Sequence, residues 1–191
     1  DTSYFFQIYA PGKSFNYFLC EANDWFLDES FKMNVTLDSN RFWIELPRSI
    51  FEDGTRLYQY LIDVVLIPDP YSEFVLDEWN DPFLDQDIMS EFPEFPENTT
   101  GIVTYFDEHE QDSFDWQHDD FVKPEKADLV VYELLVRDFL ESHRYDDLLD
   151  TLDYLERLGV NAIEFMPVSE FEGNISWGYN PSYHNALDKY Y

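Results

Sequence analysis

Basic residues are scarce in this chain of 191 residues: 11 Lys and Arg stand against 41 Asp and Glu, a formal net charge of −30. A field of that sign repels phosphate backbones and anionic lipid headgroups, so neither nucleic acid nor a membrane surface is expected as a partner. The same excess suits a protein dispersed in high salt, where screening removes self-repulsion, and it equally suits an ordinary acidic surface. Cysteine is almost absent. Cys20 has no partner in the chain for a disulfide, and within Tyr17-Phe18-Leu19-Cys20 it reads as a small buried hydrophobe. None of the four histidines, His109, His118, His143 and His184, stands in a recognisable nucleophile motif. Long apolar runs are missing too: nothing approaches the ~20 residues of a membrane span. The first residues also lack a basic segment followed by an apolar one. A soluble chain is expected, and cytoplasmic, periplasmic and extracellular placements are all compatible with it. The sequons at Asn34, Asn98 and Asn174 read as chance occurrences.

Aromatic residues, by contrast, are abundant at 19%, against only 6 Gly and 10 Pro. That is the profile of a chain that packs cores rather than one that stays disordered. Residues 4 to about 77 read as short strands at Tyr4 to Tyr9, Asn16 to Leu19, Arg41 to Leu46 and Leu57 to Ile62. Turn compositions separate them: Pro11-Gly12, Asn23-Asp24, Asp38-Ser39-Asn40 and Glu52-Asp53-Gly54. A small antiparallel β-sandwich follows. Alternation in Phe42-Trp43-Ile44-Glu45-Leu46 puts Phe42, Ile44 and Leu46 on one face and Trp43 on the other. There Trp43 is either a surface stacking platform or packing for a second layer.

From about Pro68 to Lys126 the pattern becomes Pro- and Asp-rich, with one short strand expected at Gly101 to Phe106. Unstructured loops of that length are uncommon in compact domains, so its aromatics are expected to pin it across neighbouring surfaces. Leu129 to Val136 is then a near-continuous apolar run, as burial in a parallel sheet requires. An amphipathic helix follows, with Leu148, Leu149, Leu152, Leu155 and Leu158 on one face and Gly159 as its stop. Asn161 to Pro167 is a second buried strand, completing a βαβ unit, and a long loop begins at Val168.

Several of these stretches carry a family resemblance. Val131-Tyr132-Glu133 and Gly159-Val160-Asn161-Ala162-Ile163-Glu164 resemble the first two barrel strands of the α-amylase superfamily. Met166 through Pro181, with Trp177-Gly178-Tyr179-Asn180-Pro181, is similar to the loop after the second of those strands. Upstream, Tyr9-Ala10-Pro11-Gly12-Lys13, Asn23-Asp24-Trp25, Tyr58-Gln59-Tyr60 and Asp69-Pro70-Tyr71-Ser72 resemble the immunoglobulin-like, starch-binding-type module that precedes the barrel. The fold class implied is mixed: an all-β immunoglobulin-like sandwich at 1–77, a connector at 78–127, and at 128–191 the first βαβ unit and following loop of a truncated (β/α)8 barrel.

The resemblance implies retaining cleavage or transfer of α-1,4 or α-1,6 glucosidic bonds by two carboxylates about 5–5.5 Å apart. In the family those carboxylates follow later barrel strands, so no catalytic residue is assigned here, and Glu133, Glu164 and Glu170 are left to solvation and loop hydrogen bonding. As a fragment the chain is not expected to be catalytic. The partners implied are an α-glucan polysaccharide or oligosaccharide and the rest of the barrel in the same polypeptide. No cofactor is expected, calcium being possible for the whole enzyme. Tyr179 matches the family aromatic that stacks on the sugar beside the scissile bond, and Trp177 beside it is a second substrate-binding candidate. Asn180 and Pro181 are read as turn-shaping. Two departures from the family pattern are His184-Asn185-Ala186-Leu187-Asp188 and Glu21-Ala22. The alternative is a non-catalytic α-glucan-binding or bracing module, with Trp25, Trp43 and Tyr58 as platforms if they are exposed, and an interaction role would follow from an exposed patch of Phe92, Phe95 and Trp116.

Overall fold

The computed structural model describes residues 2–51, 56–106, 115–118 and 120–191. The predicted turn Glu52-Asp53-Gly54 and His109 lie outside the described residues. Two units, Asp1–Asp107 and Glu108–Tyr191, each gather a core of their own.

The first unit is built by strands β1 (Ser3–Tyr9), β2 (Asn16–Cys20), β3 (Asn34–Val35), β4 (Arg41–Pro47), β5 (Leu57–Ile62), β6 (Val65–Ile67), β7 (Phe74–Asp77) and β8 (Ile102–Tyr105), with one helical turn, α1 (Gln86–Met89). Antiparallel pairing gives a three-stranded sheet in the order β1-β4-β3 and a larger sheet in the order β2-β5-β8-β7, with β6 also on β5. Successive side chains on a strand point to opposite faces. Phe6, Ile8, Phe42, Ile44 and Leu46 of the first sheet therefore meet Phe18, Cys20, Tyr58, Tyr60 and Ile62 of the second in one buried core. Rings dominate it. Phe18 stacks on Tyr58 at 5.0 Å and Phe6 lies 4.4 Å from Phe18, and each such pair adds about 0.5–1.5 kcal/mol beyond the area it buries.

The opposite face of the larger sheet is buried as well. Tyr17, Leu19, Trp25, Leu57, Leu76 and Val103 form a second cluster, closed by Phe92 and Phe95. Gln59 points into this layer with its amide saturated: Nε2 donates to the carbonyls of Thr100 (3.0 Å) and Ile102 (2.6 Å), and Oε1 accepts from Thr99 (2.6 Å). The stretch read as a connector from 78 thus supplies both a strand between β5 and β7 and the cover of the sheet. The reason is physical: β5 is apolar on both faces, and a strand of that kind needs two layers. Phe92 and Phe95 pack inward against this cluster and are not exposed platforms, while Trp116 of the second unit faces solvent.

The motifs carrying the upstream resemblance work as turn locks. Asp69 Oδ2 accepts from both Tyr58 and Tyr60 hydroxyls at 3.0 Å, while its backbone N–H donates to Thr104 Oγ1 at 2.7 Å. Asn23 donates to the Phe18 carbonyl (2.9 Å) and accepts from the Cys20 N–H (3.0 Å), holding a corner where Asp24 and Trp25 take left-handed φ of 50° and 62°. Trp25 and Tyr58 are each only 6% exposed. They are packing and not platforms, whereas Trp43 keeps part of its ring in solvent.

In the second unit, β9 (Val131–Leu134) pairs in parallel with β10 (Ala162–Phe165), so that Glu133 lies opposite Glu164. Asn161 clamps the register: Oδ1 accepts from Val130 N–H (2.7 Å) and Nδ2 donates to the Asp128 carbonyl (2.9 Å). Between the strands run α2 (Val136–Phe139), α3 (Tyr145–Leu148) and α4 (Leu152–Arg157), the last two joined by a 3₁₀ turn at Leu149–Thr151. The predicted single helix is therefore interrupted. The tighter turn shifts the side-chain phase, so Leu148 and Leu155 are buried while Leu149, Leu152 and Leu158 are exposed. Gly159, at φ 86°, ends α4 as its C-terminal cap. The apolar run before β9 is also less buried than its composition suggests: Leu134 and Val136 are inside, while Leu129, Val130 and Val131 face solvent. Among the described residues β9 has only β10 as a strand partner, which leaves its other edge without a strand. The hairpin β11 (Ser169–Phe171) and β12 (Pro181–Leu187) completes the unit.

Candidate functional site

The loop between β11 and β12 carries both predicted sugar-contacting rings, and its backbone is held from several sides. Gly178 sits at φ 85°, and a Cβ there would lie 1.9 Å from the Pro167 carbonyl oxygen, so only glycine fits. Its N–H donates to Ser176 Oγ (2.9 Å), and Ser176 Oγ donates to Asn180 Oδ1. Asn180 shapes the turn, in line with its expected role.

Below the loop lies Arg137, on α2. Its Nη1 donates to the Ser176 carbonyl at 3.0 Å, while Nε and Nη2 fork onto Asp138 at 2.7 and 3.2 Å. The fork holds the Asp138 carboxyl below the usual carboxylate range and raises the guanidinium above its own. The Arg137 carbonyl is engaged in turn by His143 Nδ1, and the His143 ring stacks on Tyr190 at 5.3 Å. At the foot of the hairpin Lys189 and Glu170 form a buried ion pair at 2.7 Å. Sequence motifs do not mark Arg137; its signal is a lone cation inside Leu134-Leu135-Val136-Arg137-Asp138-Phe139.

On this footing the two rings face outward, Tyr179 63% and Trp177 66% exposed. The Tyr179 hydroxyl donates to Glu133 Oε1 at 3.2 Å. That bond, followed by partial desolvation and the charges of Glu133 and Glu164, raises the phenol above its ordinary value. Two neighbouring carboxylates on parallel strands repel, and the tyrosine proton shared with Glu133 eases that repulsion while orienting the ring. Glu133 and Glu170 thus have partners that account for them. His184 lies in β12, its carbonyl accepting from Ser169 Oγ at 3.2 Å. Among the described residues no group of three or more His, Cys, Asp or Glu side chains is assembled that could hold a metal ion. No helix among them is long and apolar enough to cross a membrane.

The chain is 32% identical over 149 residues to the malto-oligosyltrehalose trehalohydrolase of Saccharolobus solfataricus, a match covering 76% of this chain and 25% of that protein. The corresponding protein of Deinococcus radiodurans is 31% identical over 146 residues, again across 76% of this chain and 20% of the relative. The chain is homologous to enzymes of the α-amylase superfamily. It spans a quarter or less of the length of these curated relatives. No family model matches it. In three dimensions the putative α-amylase of Salmonella typhimurium superimposes with a TM-score of 0.67 at 21% identity, covering all of this chain and 27% of that one. At that identity the likeness speaks for the fold, a β-rich region shared with α-amylase-superfamily enzymes.

Proposed function

We propose that this chain is the N-terminal portion of a retaining α-glucan-active glycoside hydrolase or transglycosylase, acting on α-1,4 or α-1,6 glucosidic bonds. In this reading the first unit is an immunoglobulin-like sandwich, and β9, the intervening helices and β10 are the opening βαβ unit of a (β/α)8 barrel. In this reading the catalytic carboxylates belong to later strands of the barrel, and this chain's contribution is to bind and orient the glucan. The observation that carries the reading is the Tyr179 ring, exposed, anchored through Glu133, and set on a loop that follows β10. Such loops, at the C-terminal ends of barrel strands, are where active sites of that fold are built. A pyranose offers an apolar C–H face to such a ring, and Trp177 supplies a second one.

The test is to assay the product of the full coding sequence on starch and glycogen. Retained anomeric configuration is expected. Tyr179→Ala should lower kcat/KM roughly tenfold or more, an aromatic contact and a positioning contact being lost together. Tyr179→Phe keeps the ring and should lose much less. Inactivity on every α-glucan, or equal activity of wild type and Tyr179→Ala, overturns the assignment.

A further inference from the structure

The first unit holds a cavity of about 240 Å³ between the end of β7 and the segment that returns over the larger sheet. Leu76, Leu84, Met89 and Phe95 give it apolar walls, and Asp77 and Glu78 line it beside them. A tight turn fixes the acidic part. β7 stops at Asp77, whose N–H donates to Asp81 Oδ2 at 2.8 Å. A 3₁₀ turn at Asp81–Phe83 and the single turn of α1 then carry the chain round to Phe92 and Phe95, which are pinned in the second cluster. Asp77 is only 7% exposed, yet its partners are all neutral: Oδ1 accepts from the N–H groups of Trp79 (2.8 Å) and Asn80 (3.3 Å), and Oδ2 from Asn80 Nδ2 (2.7 Å). Glu78 Oε2 accepts from the Thr100 hydroxyl (2.5 Å) and the Gly101 N–H (2.8 Å), bonds that hold its carboxyl below the usual carboxylate range. Neither carboxylate has a cationic partner among the described residues. Acidic side chains as buried as Asp77 ordinarily have one.

The sequence supplies no cation nearby. No Lys or Arg lies between Arg56 and Lys123, while Glu73 to Glu97 holds nine Asp and Glu. The field at the cavity is therefore negative and its complement is a cation from outside the segment. The Asp77 oxygens are already engaged by N–H donors and the walls are largely hydrocarbon, so a bare metal ion would gain too few oxygens there. A cation with an apolar body fits both parts: hydrocarbon against leucine, methionine and phenylalanine, charge beside the carboxylates. Size sets the body. A cavity of ~150 Å³ already admits a benzene ring, so the volume here takes one ring and a short aminoalkyl arm. We propose that this cavity is a binding site for a small arylalkyl-ammonium ligand, its ring held by Leu84, Met89 and Phe95 and its charge by Asp77 and Glu78.

The experiment follows the methionine methyl resonances of the 191-residue chain by nuclear magnetic resonance. Met89 lines the cavity, while Met33 in the main core and Met166 in the second unit are internal controls. The probes are phenethylamine, its neutral analogue phenethyl alcohol and the anion hydrocinnamate. Phenethylamine is expected to shift Met89 saturably and to leave Met33 and Met166 in place, binding about tenfold tighter than the alcohol, with hydrocinnamate weakest of the three. Molar salt should erase most of that preference. Glu78→Gln keeps an acceptor for Thr100 and Gly101 and should weaken the amine about three- to fivefold while sparing the alcohol. Leu84→Trp fills the cavity and should abolish binding of both. A thermal midpoint close to the parent's in each variant separates lost binding from lost folding. An unmoved Met89 overturns the site. Equal affinity for amine and alcohol, or an amine preference unchanged both in Glu78→Gln and in molar salt, overturns the cation assignment. A Met89 shift that grows with protein concentration alone gives the cavity to a second copy of the chain, and a peptide of Lys and Trp that binds far more tightly than phenethylamine gives it to a partner protein; either result overturns the small-ligand assignment.

Discussion

The Arg137 guanidinium reaches across from α2 to donate to the Ser176 carbonyl, three residues ahead of Tyr179. The half-buried cation is already engaged on its other edge by Asp138, so it is held before it meets the loop. Arg137→Lys removes the fork while keeping the charge. It should destabilise the second unit by about 1–3 kcal/mol and speed amide exchange at residues 174–180, with far-ultraviolet signal unchanged. Thermal unfolding and hydrogen exchange read the two effects; an unaltered loop in the lysine variant would show that Arg137 does not hold it.

Gly178→Ala tests the loop from the opposite side. A methyl group directed at the Pro167 backbone oxygen has no flexible neighbour to displace, and the positive φ adds its own strain. A loss on the order of 1–3 kcal/mol is expected, with a shift of the Tyr179 resonances away from the Glu133-bonded position. A variant as stable as the parent would mean that the loop does not make this close approach.

In the first unit, Asp69→Ala should be among the costly single changes. It strips the shared acceptor from two buried phenols at once, a loss of roughly 2–5 kcal/mol by the usual penalty for unsatisfied buried groups. Tyr60→Phe in the same background should recover part of it, because one stranded hydroxyl disappears. Chemical denaturation of the four members of the cycle checks this; strict additivity would deny the shared network.

Alkaline stability follows from the same pair. Burial first, then the neighbouring Tyr60 and Asp69, push the phenol of Tyr58 up, and burial and Asp69 push that of Tyr60 up. The unfolded phenols ionise near the ordinary value of about 10. Above that pH the unfolded state sheds protons that the folded state keeps, so stability falls as pH rises; below it the contribution is fully present. Tyrosinate absorbance should therefore appear together with unfolding of the first unit, and ionisation of these two rings in the intact fold would contradict the network. Cys20, fully buried and pushed up to about 11 by that burial, should resist thiol reagents until the same transition.

Much of this was legible residue by residue. Period-two alternation in Phe42, Ile44 and Leu46 marks the inner face of β4 and sets Trp43 on the other side. Gly159 marked the helix end, and the order of short motifs named the superfamily. What periodicity could not carry was non-local. β5 reads as a strand, but nothing in Tyr58-Gln59-Tyr60 says that its second face is covered by residues from the nineties or that its neighbour is β8. The leucine stripe likewise held no mark of the 3₁₀ turn that turns Leu149 and Leu152 outward. Tyr179 is legible as a candidate through its motif, whereas Arg137 beneath it is not, because a positioning cation is defined by a backbone carbonyl far away in sequence.

The seat of β8 between β5 and β7 also sets a timetable. Ribosomes deliver β7 well before β8, yet among the described residues β7 pairs with no other strand, and β5 keeps its Leu57–Tyr58 edge open until Ile102–Tyr105 emerges. Through that interval a nascent chain shows two unfilled rows of backbone donors and acceptors, the kind of edge that recruits holding chaperones or stray strands. A translational pause falling between residues 78 and 101 would lengthen the hazard, and one placed after Tyr105 has cleared the exit tunnel would let the larger sheet close.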